Sequence, residues 1–192
     1  MSEAEYLSRE PKASLRHEYI NGTVVAMSGA STRHNVITAR ILRALGNRLD
    51  GGPREAMTSD QRVFVEKTRL YTYPDVVVVC GPTVEVAGVR PATITNPSVL
   101  FEVLSRSTEA YDRGAKWAHY RSLVTLREYV LVSQVERRVE AFRRADGDVW
   151  EFREFQGSAL LPLPSLSVSV PLDEIYDRAM QYRGDDDSAA EG

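Results

Sequence analysis

The 192-residue chain has one cysteine, three lysines and no apolar run near the ~18–20 residues a membrane span requires. A lone Cys80 excludes an internal disulfide and a cysteine-rich zinc site. The first eighteen residues are studded with charge and lack the apolar centre of a secretion signal. These absences lead to the expectation of a soluble, cytoplasmic protein with no membrane partner. No stretch of 20 to 50 residues recurs, which argues against a solenoid or propeller. An excess of either charge is missing too. The net charge of −3 comes from 24 basic and 27 acidic residues. Asp185, Asp186, Asp187 and Glu191 all fall in the last eight positions, and without them 24 bases face 23 acids. That excludes a strongly basic nucleic-acid coat and a strongly acidic chain alike. What remains is 43% hydrophobic and 27% charged, enough to bury a core. We expect one domain over residues 1–184 and an acidic, disordered tail over 185–192.

Local patterns predict an α/β fold. Residues 3–16 read as a short helix broken near Pro11. In His17 to Met27, Asn21-Gly22 between two alternating apolar arms predicts a hairpin, because both turn residues must accept positive φ. A helix follows over about 33–49, stopped by Asp50-Gly51-Gly52-Pro53. Two strands are expected at 56–66 and 71–80, and the four-valine run Val76 to Val79 suits a strand buried on both faces. Residues 81–96 read as a surface excursion and 98–104 as a third strand. Residues 109–122 read as a helix with Tyr111, Ala115, Ala118 and Leu123 on its apolar stripe. Another strand is expected at 127–133, a hairpin from 135–143 and 149–155, an edge strand at 166–170 and a short helix at 173–182. Together these describe a mixed β-sheet flanked by helices, with N- and C-terminal β-hairpin additions.

Three features carry chemistry. Glu102 lies in Val99-Leu100-Phe101-Glu102-Val103-Leu104, where every neighbour is apolar. A buried carboxylate without a partner costs several kcal/mol, so it calls for a cation, a hydrogen bond or a metal; an edge position facing water is the alternative. Pro74-Asp75 opens the four-valine strand, where an aspartate also serves as an ordinary strand starter. Asp112 and Lys116 stand at i,i+4, the spacing of a common helix-surface pair. Lysine is a rare choice here, since the other 21 basic residues are arginine. Considered together, two adjacent strands bring Asp75 and Glu102 within reach of one Mg²⁺ ion, with an ammonium beside them. That arrangement suits metal-assisted phosphodiester hydrolysis.

The run Tyr73-Pro74-Asp75-Val76-Val77-Val78-Val79, then Phe101 to Thr108, then Asp112-Arg113-Gly114-Ala115-Lys116, Tyr120 and Arg127 to Val132 resembles the Uma-type restriction endonuclease family of the PD-(D/E)XK nuclease superfamily. His17 to Gly22 and Arg33-His34-Asn35 extend the resemblance, which covers residues 17 to about 175. It implies a restriction-endonuclease-like fold, with Asp75 and Glu102 as metal-binding acids, Glu18 as a further acid and Lys116 as the site's lysine. The backbone carbonyl of Val103 joins Asp75 and Glu102 as an oxygen ligand for Mg²⁺ or Mn²⁺. In the plain superfamily pattern the lysine stands two residues after the strand acid, where this chain has Leu104; similar Uma-type proteins are thought to supply it from the following helix. His34 and Gln134 are secondary candidates.

The implied activity is a metal-dependent DNA endonuclease, with nucleic acid as partner and a homodimer as the expected assembly. The alternative is a catalytically inactive nuclease-fold module acting in nucleic-acid or protein interaction. Arg137, Arg138, Arg143, Arg144 and Arg153 in the C-terminal hairpin form either a phosphate-binding patch or the solvated face of a two-stranded ribbon.

Overall fold

A computed structural model describes residues 1–27 and 29–185. Helix α1 (Glu3–Arg9) opens on a reciprocal capping pair between Ser2 and Glu5 and ends in a 3₁₀ turn, Glu10–Lys12, around Pro11. Strands β1 (His17–Ile20) and β2 (Thr23–Ala26) form the expected hairpin. Its turn residues Asn21 and Gly22 have φ of 42° and 101°. Helix α2 (Thr32–Leu49) follows, its Ser31 hydroxyl accepting the His34 N–H at 3.2 Å.

The two long strands expected next are each divided between sheets. Residues 56–66 become β3 (Arg54–Thr58) and β4 (Arg62–Val65), and residues 71–80 become β5 (Leu70–Thr72) and β6 (Val76–Cys80). β3 and β6 pair in one sheet while β4 and β5 pair in another. Tyr73-Pro74-Asp75 is the crossing between them, and Pro74 has no N–H to offer a ladder there. The excursion at 81–96 is mostly exposed but contains β7 (Thr93–Ile94), parallel to β4 and buried. The fully buried Arg62 anchors it, donating to Thr93 Oγ1 at 2.8 Å and to the Pro91 carbonyl at 3.2 Å.

Strand β8 (Val99–Leu104) leads to a continuous helical segment made of α3 (Glu109–Tyr111), a π-helical stretch (Asp112–Lys116) and α4 (Trp117–Tyr120). Then come β9 (Glu128–Ser133), the hairpin β10 (Arg138–Arg144) and β11 (Trp150–Gln156), and β12 (Leu160–Leu163) paired with β13 (Val168–Pro171). β12 was not expected. Helix α5 (Leu172–Tyr176) is shorter than the expected 173–182, which closes with a 3₁₀ turn at Ala179–Gln181.

The main sheet is mixed, ordered β11-β10-β9-β8-β6-β3, with β8 and β9 parallel and the other neighbours antiparallel. Val76, Val78, Val99, Phe101, Val103, Val130 and Val132 pack from one face onto Ile37, Ile41 and Leu45 of α2 and Ile175 of α5. Val77, Val79, Leu100, Leu104 and Leu131 face the other way, onto Tyr120 and onto Val63, Val65 and Leu70 of the five-stranded sheet β2-β1-β5-β4-β7. The four valines therefore divide evenly between two cores. Tyr6 of α1, Tyr19, Phe64 and Tyr71 make a third cluster on the smaller sheet.

One expectation needs correction. Ala115 and Ala118 are exposed, so the stripe read through Tyr111, Ala115, Ala118 and Leu123 is not the buried face of the helix. The buried face is polar: Asp112, Lys116 and Tyr120. The tail expected beyond Gly184 lies, from residue 186 onward, outside the described residues. Asp185 accepts a hydrogen bond from Gln134 Nε2 at 2.8 Å.

Candidate active site

The site forms where the two sheets meet. In the β6–β8 ladder Val76 opposes Phe101, so one step further along the antiparallel register Asp75 stands opposite Glu102. Successive residues of a strand point to opposite faces, which places Glu102 with Leu100 and Leu104 on the face that meets the smaller sheet. Glu18 arrives from β1 of that smaller sheet, and Asp112 and Lys116 from the helical segment that closes over the junction. All of these line one cavity of about 640 Å³ together with His34 and Val103.

Lys116 sits among three acids. Its Nζ is 2.9 Å from Glu102 Oε1, 3.3 Å from Glu18 Oε1 and 3.4 Å from Asp112 Oδ1. These four side chains are only 3% to 7% exposed. Tyr120 donates to Glu102 Oε1 at 2.8 Å, and the Thr72 hydroxyl donates to Glu18 Oε1. Among the described residues the buried Asp112 Oδ1 has the Lys116 ammonium beside it but no well-aligned hydrogen bond.

Burial pushes the Glu102 carboxyl well above the carboxylate range. Lys116 opposes this, while Asp112 and Asp75 add to it. Burial likewise raises Asp112, against the pull of Lys116. For Lys116 burial acts downward, but Glu102, Tyr120, Glu18 and Asp112 outweigh it and hold the ammonium protonated. Burial is the main cause for Glu102, with the neighbouring acids adding to it, whereas for Lys116 the acids around the one cation are what hold it high.

Asp75 is held differently. Its Oδ2 accepts the Val103 N–H at 2.7 Å and stands 3.1 Å from His34 Nε2. Burial lowers the His34 imidazole, but the hydrogen bond and charge of Asp75, with weaker help from Asp185 and Asp112, turn the net shift upward. Gln134 does not line the cavity. Its amide takes the Ser31 hydroxyl at 2.8 Å and donates to the Leu104 carbonyl at 2.8 Å, tying the start of α2 to the end of β8. Leu104, where the plain superfamily pattern has lysine, is buried in the core between the sheets.

Asp112, noted from sequence as the i,i+4 partner of Lys116, and Tyr120, noted only within the family resemblance, join the cluster without having been named as site residues, and Thr72 joins it with no earlier mention. The signal for two of them was present as polar side chains at 112, 116 and 120, two successive steps of four residues. The C-terminal arginines do not form an open basic patch. Arg137 pairs with Asp173, and Arg138 with Glu136 at 2.8 Å and Glu140 at 3.0 Å. Arg144 pairs with Asp148 at 3.3 Å and Arg153 with Glu151 at 3.7 Å. Within the cluster, Arg143 is the member without an ion pair among the described residues.

Comparison with known proteins places this geometry in a family. A family model described as "Uma2: Putative restriction endonuclease" matches residues 3–173. The chain belongs to the Uma2 family. Two Uma2-like relatives come from Synechocystis sp. (strain PCC 6803), both carrying the description "uncharacterized protein". One, slr1290, is 39% identical over 92% of this chain and 91% of its own length. The other, sll1609, is 34% identical over 82% of this chain and 88% of its own. A solved structure of a "putative nuclease belonging to DUF820" from Anabaena variabilis superposes with a TM-score of 0.72 at 17% identity, covering 90% of this chain and 98% of that one. The Uma2 assignment and the shared fold support a nuclease. Among the described residues no helix is long and apolar enough to cross a membrane.

Among the described residues no group of three or more His, Cys, Asp or Glu side chains is placed to hold a metal ion. Mg²⁺ does not need one, since it binds through one or two carboxylates and keeps water or phosphate oxygens elsewhere. Asp75 Oδ2 is occupied by its two partners, and Glu102 Oε1 by Lys116 and Tyr120. Each carboxylate thus has its second oxygen free of these contacts, and the excess of acid over base favours an added cation. The residues fit.

Proposed function

We propose that the chain is a divalent-metal-dependent endonuclease that hydrolyses DNA phosphodiester bonds, with Asp75 and Glu102 holding Mg²⁺ or Mn²⁺. The observation that carries this reading is the cross-strand opposition of Asp75 and Glu102 beside the buried Lys116 ammonium, 2.9 Å from Glu102. The Val103 carbonyl is the candidate backbone ligand, and Glu18 the further acid. A bound divalent cation supplies a water of lowered pKa and polarises a phosphoryl oxygen. Val103 N–H and His34 fix the rotamer of Asp75, and the Tyr120 hydroxyl fixes that of Glu102. The new bond joins the water oxygen to phosphorus as the bond to the departing sugar oxygen breaks. Lys116 offsets the negative charge that builds on the phosphoryl oxygens, an interaction strengthened by its exclusion from water. Glu18 and Asp112 hold that ammonium in place.

The test uses a plasmid and a single-stranded circle, each with Mg²⁺ or Mn²⁺. Wild type should cut at least one of them, while Asp75→Ala and Glu102→Ala, each shown by circular dichroism to remain folded at the assay temperature, should fall to background. Either variant cutting as well as wild type overturns the assignment. Calorimetric titration with Mn²⁺ gives an independent reading, because the binding heat should vanish in Glu102→Ala. Neither heat nor cutting in wild type would leave a nuclease-fold interaction module.

A further inference from the structure

The acids are at the bottom of a cavity, not on a saddle. Side-chain exposure is 5% for Glu102, 16% for Asp75 and 12% for His34. The cavity of about 640 Å³ falls within the ~300–1,000 Å³ of ordinary small-ligand sites. A single nucleotide fits such a volume, and pockets of this size enclose most of the surface of a small ligand. The walls have the composition an isolated nucleotide needs. Val25, Ala26 and Met27 give an apolar side for a base, and Ser105, Ser107 and Thr108 give a hydroxyl side for sugar and phosphate. The second observation is electrostatic. A surface that tracks duplex phosphates needs several free cations, yet among the described residues the basic side chains lining the cavity, Arg16, Lys116 and His34, already face Asp60, Glu102 and Asp75.

From this we infer that the substrate is unpaired DNA, a single strand threaded through the cavity with one nucleotide seated over Asp75 and Glu102. This deepens the nuclease reading and rests on it. The argument is one of depth: with Glu102 and Asp75 nearly closed off from solvent, a nucleotide free to leave its stack reaches them, whereas a paired one must first be unstacked. Asn35, exposed on α2 and lining the cavity, is the place to test the fit without touching the acids.

The experiment measures binding to the full chain by fluorescence anisotropy, using a labelled single-stranded oligonucleotide and its blunt duplex, in Ca²⁺ buffer. Cutting of the same two molecules is then measured in Mn²⁺. The single strand should bind at least ten-fold more tightly and be cut at least ten-fold faster. Asn35→Trp, checked for an unchanged melting temperature, should reduce single-strand binding at least ten-fold by filling the mouth. Equal or tighter binding of the duplex overturns the inference, and so does an Asn35→Trp protein that binds the single strand normally. Duplex cutting at the single-strand rate overturns it while leaving the nuclease reading intact. Single-strand preference in binding with no cutting of either molecule supports the cavity assignment and sinks the nuclease reading instead.

Discussion

Lys116 shows how a side chain that looks like a surface ammonium comes to be buried. Its position four residues after Asp112 is the spacing of an ordinary helix pair, yet both are closed off from water and share the junction with Glu18 and Glu102. Removing the amine leaves three buried acids with no cation. Breaking a buried pair in this way costs about 3–5 kcal/mol. Lys116→Met should therefore lower unfolding free energy by about that amount at pH 8. The pH dependence follows from Glu102 and Asp112, whose carboxyls titrate above their ordinary values of 4.5 and 3.8. A group raised in the folded state contributes stability that is complete below its ordinary value and is lost as pH climbs through the raised one. Without the opposing ammonium both acids rise further, so the variant's deficit should be smaller at pH 5 than at pH 8. Urea titrations at the two pH values measure it; equal deficits would mean that the ammonium is not balancing these acids.

At the scale of elements, the π-helical stretch Asp112–Lys116 aims the helix's polar residues. Five residues spread over a wider turn put Asp112, Lys116 and Tyr120 on the side facing the junction, while Ala115 and Ala118 turn to solvent. Gly114 lies inside this stretch at negative φ, and a Cβ built on it meets nothing within 4 Å. Glycine in a helix interior costs about 0.8–1.0 kcal/mol relative to alanine. Gly114→Ala should raise the melting temperature by about 2–4 °C, read by differential scanning calorimetry, and a fall would mean that the wider turn depends on glycine. The same stretch marks a limit of sequence reading. Apolar periodicity located the helix but chose the wrong face, because the buried side carries charge and the exposed side alanine. Asn21-Gly22 and Val76 to Val79 were legible because turn chemistry and unbroken apolarity are local. The division of residues 56–66 and 71–80 between sheets was not, since a strand that changes sheets keeps its alternation through the bend. Glu102 stood out because its strand neighbours are apolar. Gln134 carried no such signal, and the amide spans Ser31 and Leu104 outside the cavity.

For the molecule as a whole, the distribution of charge and the placement of the cavity bear on the same question. Enzymes that cut both strands of a duplex commonly pair two sites across a two-fold axis. A single strand needs one site, so the inferred substrate does not demand the homodimer that the family resemblance suggested. Arg16 at the cavity wall is paired with Asp60, and the hairpin arginines are paired as described. Among the described residues the cavity's basic lining is Arg16, Lys116 and His34, each facing an acid, so few cations are left inside it to release counterions when DNA binds. For single strands the slope of log K against log salt is about −0.7 per phosphate neutralised. Two contacts, from His34 in its protonated form and one arginine freed from its partner, give a slope of about −1.4. Anisotropy titrations of a labelled single strand between 50 and 200 mM salt should therefore fall on a shallow line, with magnitude below about 2. A slope steeper than about −4 would require six or more neutralised phosphates. That many cations are found only outside the cavity lining, and the strand would then be bound along the outer surface instead of in the cavity.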